Sequence, residues 1–548
     1  MVSTGSRQRA AAKSAQRMKG FDFATWRTAD DDPVMRSAIV GLLVTETAPN
    51  WEELIERFDR ASRVNTALRQ RVIDQGGLTT PRLVIDPDFD LVFHLRRFRM
   101  PAGSTWSDVL EEARRQSMTD FDKDRPLWRV TVLEDLPDGR AAVILKLHHA
   151  IADGQGAVLL GASLFDFSAK ADELGPLPEA PKADTQLNRI GFAEAIVRDK
   201  VDWASRSAQE FITGFGPATL VALRSPGDTV NRITRTVGSL SRLTRIPLGP
   251  LSPLMPERSI NYHFGTFDLP FEQIWSTGKN SKHTVNDVFL AAVGEGMGSY
   301  HRTLGKPVDA LRINMPVSTR APGAAAGGSI ENAVMIARFE IPTVAENAIT
   351  MMDQIAESVL RIRSEPALAF ANELGELSRF IPSEIVAAAA QSSDVTASNV
   401  PGVPVPVWLA GAKVERMYPL VATIGAAVNV TMLTYNGTAS IGVSADDAAV
   451  SDPDLLVDAL RQGFAHVVGH PVPAMAPSGP SAAARRSGAR ATTKPRTRKS
   501  AARKASASKV TAKKAPAKKA PAKKAPAKKA PAKKTAAKRA SANKAPTK

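Results

Sequence analysis

The chain contains no cysteine. That excludes disulfides, thiolate zinc sites, iron–sulfur clusters and any thiol nucleophile, and it fits a reducing compartment such as the cytoplasm. Histidine is scarce, with 8 in 548 residues. No uninterrupted apolar run approaches the roughly 20 residues that a membrane-crossing helix needs. The first 20 residues are basic and rich in Ala and Ser, without the apolar stretch of a secretory signal. Acidic residues are missing from Ser478 to Lys548, where 24 Lys and Arg accumulate. The formal charge of +17 therefore belongs to this tail. The rest of the chain carries 48 basic against 55 acidic residues and is acidic.

What is present is a chain of ordinary apolar content, 43% hydrophobic over its full length, with a body long enough for two sizeable cores. Residues 1–19 read as a flexible basic leader, 20–182 as an N-terminal domain, 183–255 as a helical connector, 256–475 as a C-terminal domain and 476–548 as a Lys/Ala/Pro-rich tail. Apolar spacing predicts a helix over Trp51–Val72, with Leu54, Ile55, Phe58, Ala61 and Val64 on its stripe. Ser107–Met118 reads as another helix, and Leu83–Asp86 and Leu91–Phe93 as short strands. Val130–Leu133 and Ala141–Leu147 form a predicted hairpin across Pro137-Asp138-Gly139, where proline sets φ and glycine accepts a positive one. Gly154–Phe167 reads as the helix that follows. In the second half, His283–Tyr300 reads as a helix capped by Thr284 or Asn286. Val428–Thr434 and Ala439–Ser444 read as a hairpin turning at Asn436-Gly437, and Leu455–Val468 as a closing helix. The fold class is α/β (α+β mixed), in two halves of similar size.

One cluster carries chemistry: His148-His149-Ala150-Ile151-Ala152-Asp153-Gly154, placed where a buried strand ends and a helix begins. Alternation puts Val143, Leu145, Leu147 and His149 on one strand face, and Ile144, Lys146 and His148 on the other. If the first face packs inward, His149 projects into the interior. A neutral histidine beside a polar channel can serve as a general base. Asp153 stands where it can cap the helix, pair with an arginine or hold the loop, and Gly154 admits a close backbone approach. A plain turn with two core histidines is the bland alternative. A metal site is opposed by adjacent histidines that face apart, with no further cluster at ligand spacing. Gly-x-Ser-x-Gly is absent, so no hydrolase-type serine competes. Histidine without a protein nucleophile points to direct transfer, in which a deprotonated alcohol attacks an activated acyl donor.

The cluster resembles the HHxxxDG motif of the CoA-dependent acyltransferase superfamily. Further segments resemble the bacterial wax ester synthase/diacylglycerol acyltransferase family. These are Pro126-Leu127-Trp128, the Val285–Ala291 segment containing Asn286-Asp287, Asn314–Arg320 with Ser318, Ser398–Gly402 and Asn429–Gly437. Their order and spacing agree across roughly residues 30–470. The resemblance implies two related acyltransferase-like domains with a channel between them. It implies acyl-CoA as co-substrate with no bound cofactor, and a long-chain acyl group passed to diacylglycerol or a long-chain alcohol. It also implies His149 as general base, with His148 beside it and Asp153 mainly structural. Asn286 and Ser318 are its candidates for stabilising the tetrahedral intermediate. A divergent acyltransferase with another acceptor, or a non-catalytic lipid- or polyanion-binding member, stands as the alternative. Two segments depart from the family pattern: Val34-Met35-Arg36 carries arginine where the family often has histidine, and Thr423–Val428 replaces an Asp-Gly-rich loop. Both bear on acceptor choice.

The tail repeats Lys-Lys-Ala-Pro-Ala from Lys513 to Lys534. Proline at every fifth residue blocks a continuous helix and like charges repel, so the sequence predicts a disordered, extended segment. Its expected partners are anionic lipid, at a membrane or lipid-droplet surface, or nucleic acid. No aromatic residue interleaves to stack on bases.

Overall fold

The computed structural model describes residues 16–18, 20–74, 81–151, 161, 163–170, 175–182, 249–318, 334–363 and 382–473. The helical connector up to residue 248, and the whole tail, lie outside the described residues. All described residues belong to one compact unit.

Two six-stranded sheets organise that unit. Along the first half run β1 (Gln16–Arg17), α1 (Gly20–Asp31), β2 (Ala38–Thr45), α2 (Trp51–Val64), β3 (Gln70–Ile73) and β4 (Arg82–Ile85). They are followed by α3 (Leu91–His94), β5 (Leu95–Arg99), α4 (Trp106–Met118), β6 (Trp128–Glu134) and β7 (Ala141–His148). The second half contributes β8 (Tyr262–Pro270), α5 (Phe271–Ser281), α6 (Val285–Thr303), β9 (Ala310–Ser318), β10 (Val334–Pro342), α7 (Ala348–Arg363) and α8 (Ser383–Gln391). After these come β11 (Val395–Val400), β12 (Trp408–Leu409), β13 (Ala412–Val421), β14 (Val428–Tyr435), β15 (Thr438–Asp446) and α9 (Pro453–Val468). The sheet orders are β12-β13-β2-β7-β6-β5 and β10-β9-β11-β14-β15-β8, with β1-β4-β3 as a small third sheet.

The first sheet is completed by strands from the second half. β13 pairs antiparallel with β2, from Val421 opposite Ile39 to Val414 opposite Thr45. β13 also packs over the second sheet, where a Cβ on Gly442 would stand 1.9 Å from the Pro419 carbonyl oxygen. Only a residue without a side chain permits that approach. Apolar cores cover both faces of the first sheet: Val143 and Leu147 of β7 join one, Ala142 and Ile144 the other. A third core, built on α6 and α9, lies against the second sheet.

The two hairpins form as expected. β6 and β7 pair antiparallel across Pro137–Gly139, where Asp138 as well as Gly139 takes positive φ. β14 and β15 turn through Asn436 (φ 45°) and Gly437 (φ 77°), with Tyr435 opposite Thr438.

Other local expectations change. The helix predicted to Val72 ends at Val64, which is 69% exposed and lies off the buried stripe. Asn65 accepts from the Ala67 N–H and starts a short 3-10 turn leading into β3. Leu91–Phe93 is the helical turn α3, because Asp90 accepts from the Val92 N–H; the strand begins at Leu95. Thr284, not Asn286, caps α6. Most of the helix expected over Gly154–Phe167 lies outside the described residues. Asp166 near its end instead bridges to Trp408 as extended chain.

Candidate active site

β7 lies inside the first sheet, between β2 and β6, and its last paired residue is His148, opposite Ala38. Burial on both faces makes alternation a poor guide to which histidine is enclosed. The structure corrects the expectation that His149 is the inward one. His148 is 6% exposed, whereas His149 has left the strand for the following turn and is half-buried. The turn is pinned by backbone hydrogen bonds. The His148 N–H donates to the Leu127 carbonyl at 3.0 Å, and the His149 N–H to the Ser37 carbonyl at 2.8 Å.

His148 is held as a neutral ring. Its Nδ1 accepts from the Ala150 N–H at 3.1 Å, which leaves the proton on Nε2. Trp26 and Phe121 lie edge-on to it at 5.6 and 5.8 Å. Burial, reinforced by the neighbouring His149, pushes its pKa down to about 3. On the same strand face Lys146 is 4% exposed. Its ammonium donates to the Thr119 carbonyl and lies 4.1 Å from the Phe121 ring centre. Burial first, then Arg129, pushes it down to about 7.

The Pro126-Leu127-Trp128 segment supports this strand end. Leu127 is fully buried and supplies the carbonyl that receives the His148 N–H. Trp128 Nε1 donates to the Leu68 carbonyl at 2.8 Å, and its ring stacks on His94 at 4.3 Å and Phe58 at 5.7 Å. Asp153 and Gly154 lie outside the described residues. Downstream, Arg57 Nη2 stands 2.6 Å from the Asp166 carboxylate, both buried, which anchors the segment after the histidines to α2.

The second-half candidates sort differently. Asp287 is buried and forms a capping box with Thr284, whose N–H and hydroxyl both donate to its carboxylate. That role is structural. Asn286, next to it, accepts from the Asn399 amide at 2.7 Å, so two of the family-like segments meet there. Ser318 ends β9 opposite Val334, and its side chain lies outside the described residues. Among the described residues no cluster of His, Asp or Glu has metal-binding geometry. Ser37, Asp120 and Trp26 line the pocket at His148 and were not picked out from sequence. Lys146 was visible there only as a neighbour on the histidine face.

Comparison with known proteins follows the same outline. The model of the wax ester synthase/diacylglycerol acyltransferase catalytic domain matches residues 18–289, and that of the C-terminal domain matches 330–468. A Mycobacterium tuberculosis protein named as a candidate diacylglycerol O-acyltransferase is 31% identical over 467 residues, covering 82% of this chain and 91% of that one. A second from the same species is 28% identical, covering 82% and 95%. The wax ester synthase/diacylglycerol acyltransferase of Marinobacter aquaeolei VT8 shares the fold with TM-score 0.55 at 19% identity, covering 83% of this chain and 100% of that one. The first condensation domain of the calcium-dependent antibiotic synthetase does so with TM-score 0.55 at 15% identity, covering 84% and 97%. With two six-stranded α/β sheets, a paired-histidine strand end and both family domains matched, the chain belongs to the wax ester synthase/diacylglycerol acyltransferase family and is an acyltransferase.

Proposed function

We propose that this acyltransferase moves a long-chain acyl group from acyl-CoA to diacylglycerol, to a long-chain alcohol, or to both. His149 is the general base and no acyl-enzyme forms. The observation that carries this reading is the unequal state of the two histidines. His148 already spends Nδ1 on the Ala150 N–H, and burial holds its proton affinity far below neutrality. A base of that strength gains little from removing a hydroxyl proton near pH 7. His149, in the turn with its backbone fixed to Ser37, is the one placed to act. It takes the proton from the acceptor hydroxyl as that oxygen attacks the thioester carbonyl. The C–O bond forms, the C–S bond breaks, and the proton passes to the departing CoA thiolate.

Diacylglycerol as acceptor is supported by the names of the mycobacterial relatives, and a long-chain alcohol by the family description. The test is to incubate the protein with radiolabelled palmitoyl-CoA and either diacylglycerol or hexadecanol, then separate the lipids. Labelled triacylglycerol or wax ester with matching CoA release is expected. CoA release without a new ester, or none at all, sinks the reading.

The same reading places the enzyme on the cytoplasmic side, peripheral to a membrane or lipid droplet. Among the described residues no helix is long and apolar enough to cross a bilayer. The tail would supply the attachment, since each clustered basic residue near an anionic surface contributes about 1 kcal/mol. Removing residues 478–548 is expected to abolish salt-sensitive binding to anionic vesicles while leaving turnover of dispersed substrate intact. Binding to DNA but not vesicles would redirect the tail to nucleic acid.

A further inference from the structure

Val428, Val430 and Met432 of β14 point into the core built on α6 and α9. Alternation turns Asn429 and Thr431, in the family-like segment Asn429–Gly437, to the opposite face, where both are 2% exposed. Polar side chains this deep need partners, and these two have them. The Thr431 hydroxyl donates to Asn429 Oδ1 at 2.8 Å, and Asn429 Nδ2 donates to the Ala422 carbonyl at 3.2 Å. That carbonyl can only accept, so it fixes which end of the amide faces it. A carboxamide meets both demands at once. A carboxylate would set acceptor against acceptor.

The bond leads across the molecule to the histidine turn. Ala422 directly follows β13, and its N–H donates to the Ala38 carbonyl at 3.0 Å. Ala38 is the first residue of β2 and lies opposite His148. The residue before it, Ser37, is buried, and its hydroxyl makes no hydrogen bond. Ser37 is therefore held by the chain on either side of it. Its carbonyl is the one that receives the His149 N–H at 2.8 Å. Four short steps thus join Asn429 in the second half to His149 in the first: Ala422, Ala38, Ser37 and the histidine itself.

A neighbouring bond supplies the comparison. Ser444 lies opposite Asn429 across β14 and β15, is equally buried, and donates to the Val421 carbonyl at 2.6 Å. Val421 pairs with Ile39, and Ile39 with Leu147. The Ser444 line therefore runs into the interior of β2, where strands flank it on both sides. The Asn429 line runs out to the turn. The Asn429–Ala422 bond also closes the Thr423–Val428 loop; a bond serving that purpose alone would matter for stability and not for rate.

We propose that Asn429, oriented by Thr431, is a positioning residue for His149. Acting through Ala422 and the start of β2, it sets the place of the turn from which the base works, without touching substrate. The proposal rests on the assignment of His149 as general base. It makes chemistry in the first half depend on a buried side chain of the second, because a reacting group displaced by about 1 Å can lose a hundredfold in rate.

The test uses the full chain and two readouts, the kinetics of CoA release and the NMR signals of ¹³C-labelled histidine. With 8 histidines in the chain, His149→Ala identifies the signal of His149 by its loss. Asn429→Ala is expected to shift that signal and to lower kcat by about tenfold to a hundredfold, with KM changed less than about twofold. Thr431→Val keeps the shape and removes the hydroxyl; it should act in the same direction more weakly, and Thr431→Ser should restore both readouts. Ser444→Ala should lower the unfolding midpoint comparably while leaving kcat and the His149 signal near wild type. An unmoved His149 signal in Asn429→Ala, or an equal loss of kcat in Ser444→Ala, overturns the proposal and leaves the bond a loop staple. Should Asn429→Ala fail to fold, the two Thr431 variants decide by the same criteria. If the wild-type chain releases no CoA, the His149 signal still decides the positioning, and the acyl-transfer reading falls by itself. Undiminished turnover in Asn429→Ala would remove the positioning and leave that reading intact.

Discussion

In the second sheet Asp394 is fully buried, and three backbone N–H groups, from Leu251, Ser252 and Arg312, donate to its carboxylate. Asp446, equally buried, accepts from Ser259, Ala448 and Ala449. In the first sheet the buried ionisable groups are left displaced from their ordinary proton affinities. His148 and His94 are pushed down to about 3 and about 4, and Lys146 to about 7, burial being the leading cause in each. The sheets have the same number of strands, yet the buried carboxylates of the second are met by backbone N–H groups, while the larger displacements of histidine and lysine fall beside the first. His301 and Arg338 are also pushed down by burial in the second half. Unmet polarity of this kind clusters where chemistry is done, because a group already satisfied by its own fold has little left to offer a substrate.

That contrast can be broken at several points. The largest effect is expected for His149→Ala, with CoA release reduced by about three orders of magnitude and circular dichroism unchanged. Near-normal turnover would move the base elsewhere. Next is Gly442→Val, which drives a side chain into the Pro419 carbonyl where β13 crosses the second sheet. A loss of about 3 kcal/mol in denaturant unfolding is expected, and a neutral outcome would mean that the crossing is loose.

The pH dependence of stability sharpens the comparison further. Unfolded, each imidazole takes up its proton near 6.5. Folded, His148 resists until about 3 and His94 until about 4. The unfolded chain therefore binds more protons in that window, and stability is lost as pH falls from about 6.5 toward 3. His148→Gln should flatten part of that slope in unfolding curves taken at successive pH values; an unaltered slope would assign the loss to other groups. The smallest effect is expected for Arg140→Ala. Its bridge to Glu415 at 2.9 Å joins the β7 hairpin to β13, but both partners are partly exposed. Less than about 1 kcal/mol should be lost, and less still in high salt.

The sequence was legible wherever local chemistry decides structure. Asn436-Gly437 specified its turn, and Thr284 was one of the two residues that could cap its helix. Leu54, Phe58 and Ala61 marked a buried helix face. It was least legible where distant segments converge. Alternation along β7 could not rank His148 against His149, because both faces of the strand are buried and the chain turns between them. The pocket at His148 draws on residues 26 to 38, 117 to 127 and 148, and nothing in their spacing announces that they meet. Asp287 stood out within a family-like segment and proved to be a cap. The placement of Asp153 and Gly154 lies outside the described residues.

The crossing of β13 also has a consequence for the order in which the molecule can be made. β2, the neighbour of the histidine-bearing strand, keeps an open edge until residues 414–421 have been synthesised and can pair with it. Until then the growing chain exposes unpaired backbone donors and acceptors beside an apolar surface, a template for wrong pairing. A fragment ending near residue 289, where the catalytic-domain match stops, would keep that edge permanently open. The histidine site is therefore among the first parts of the chain to be translated and among the last that can be completed.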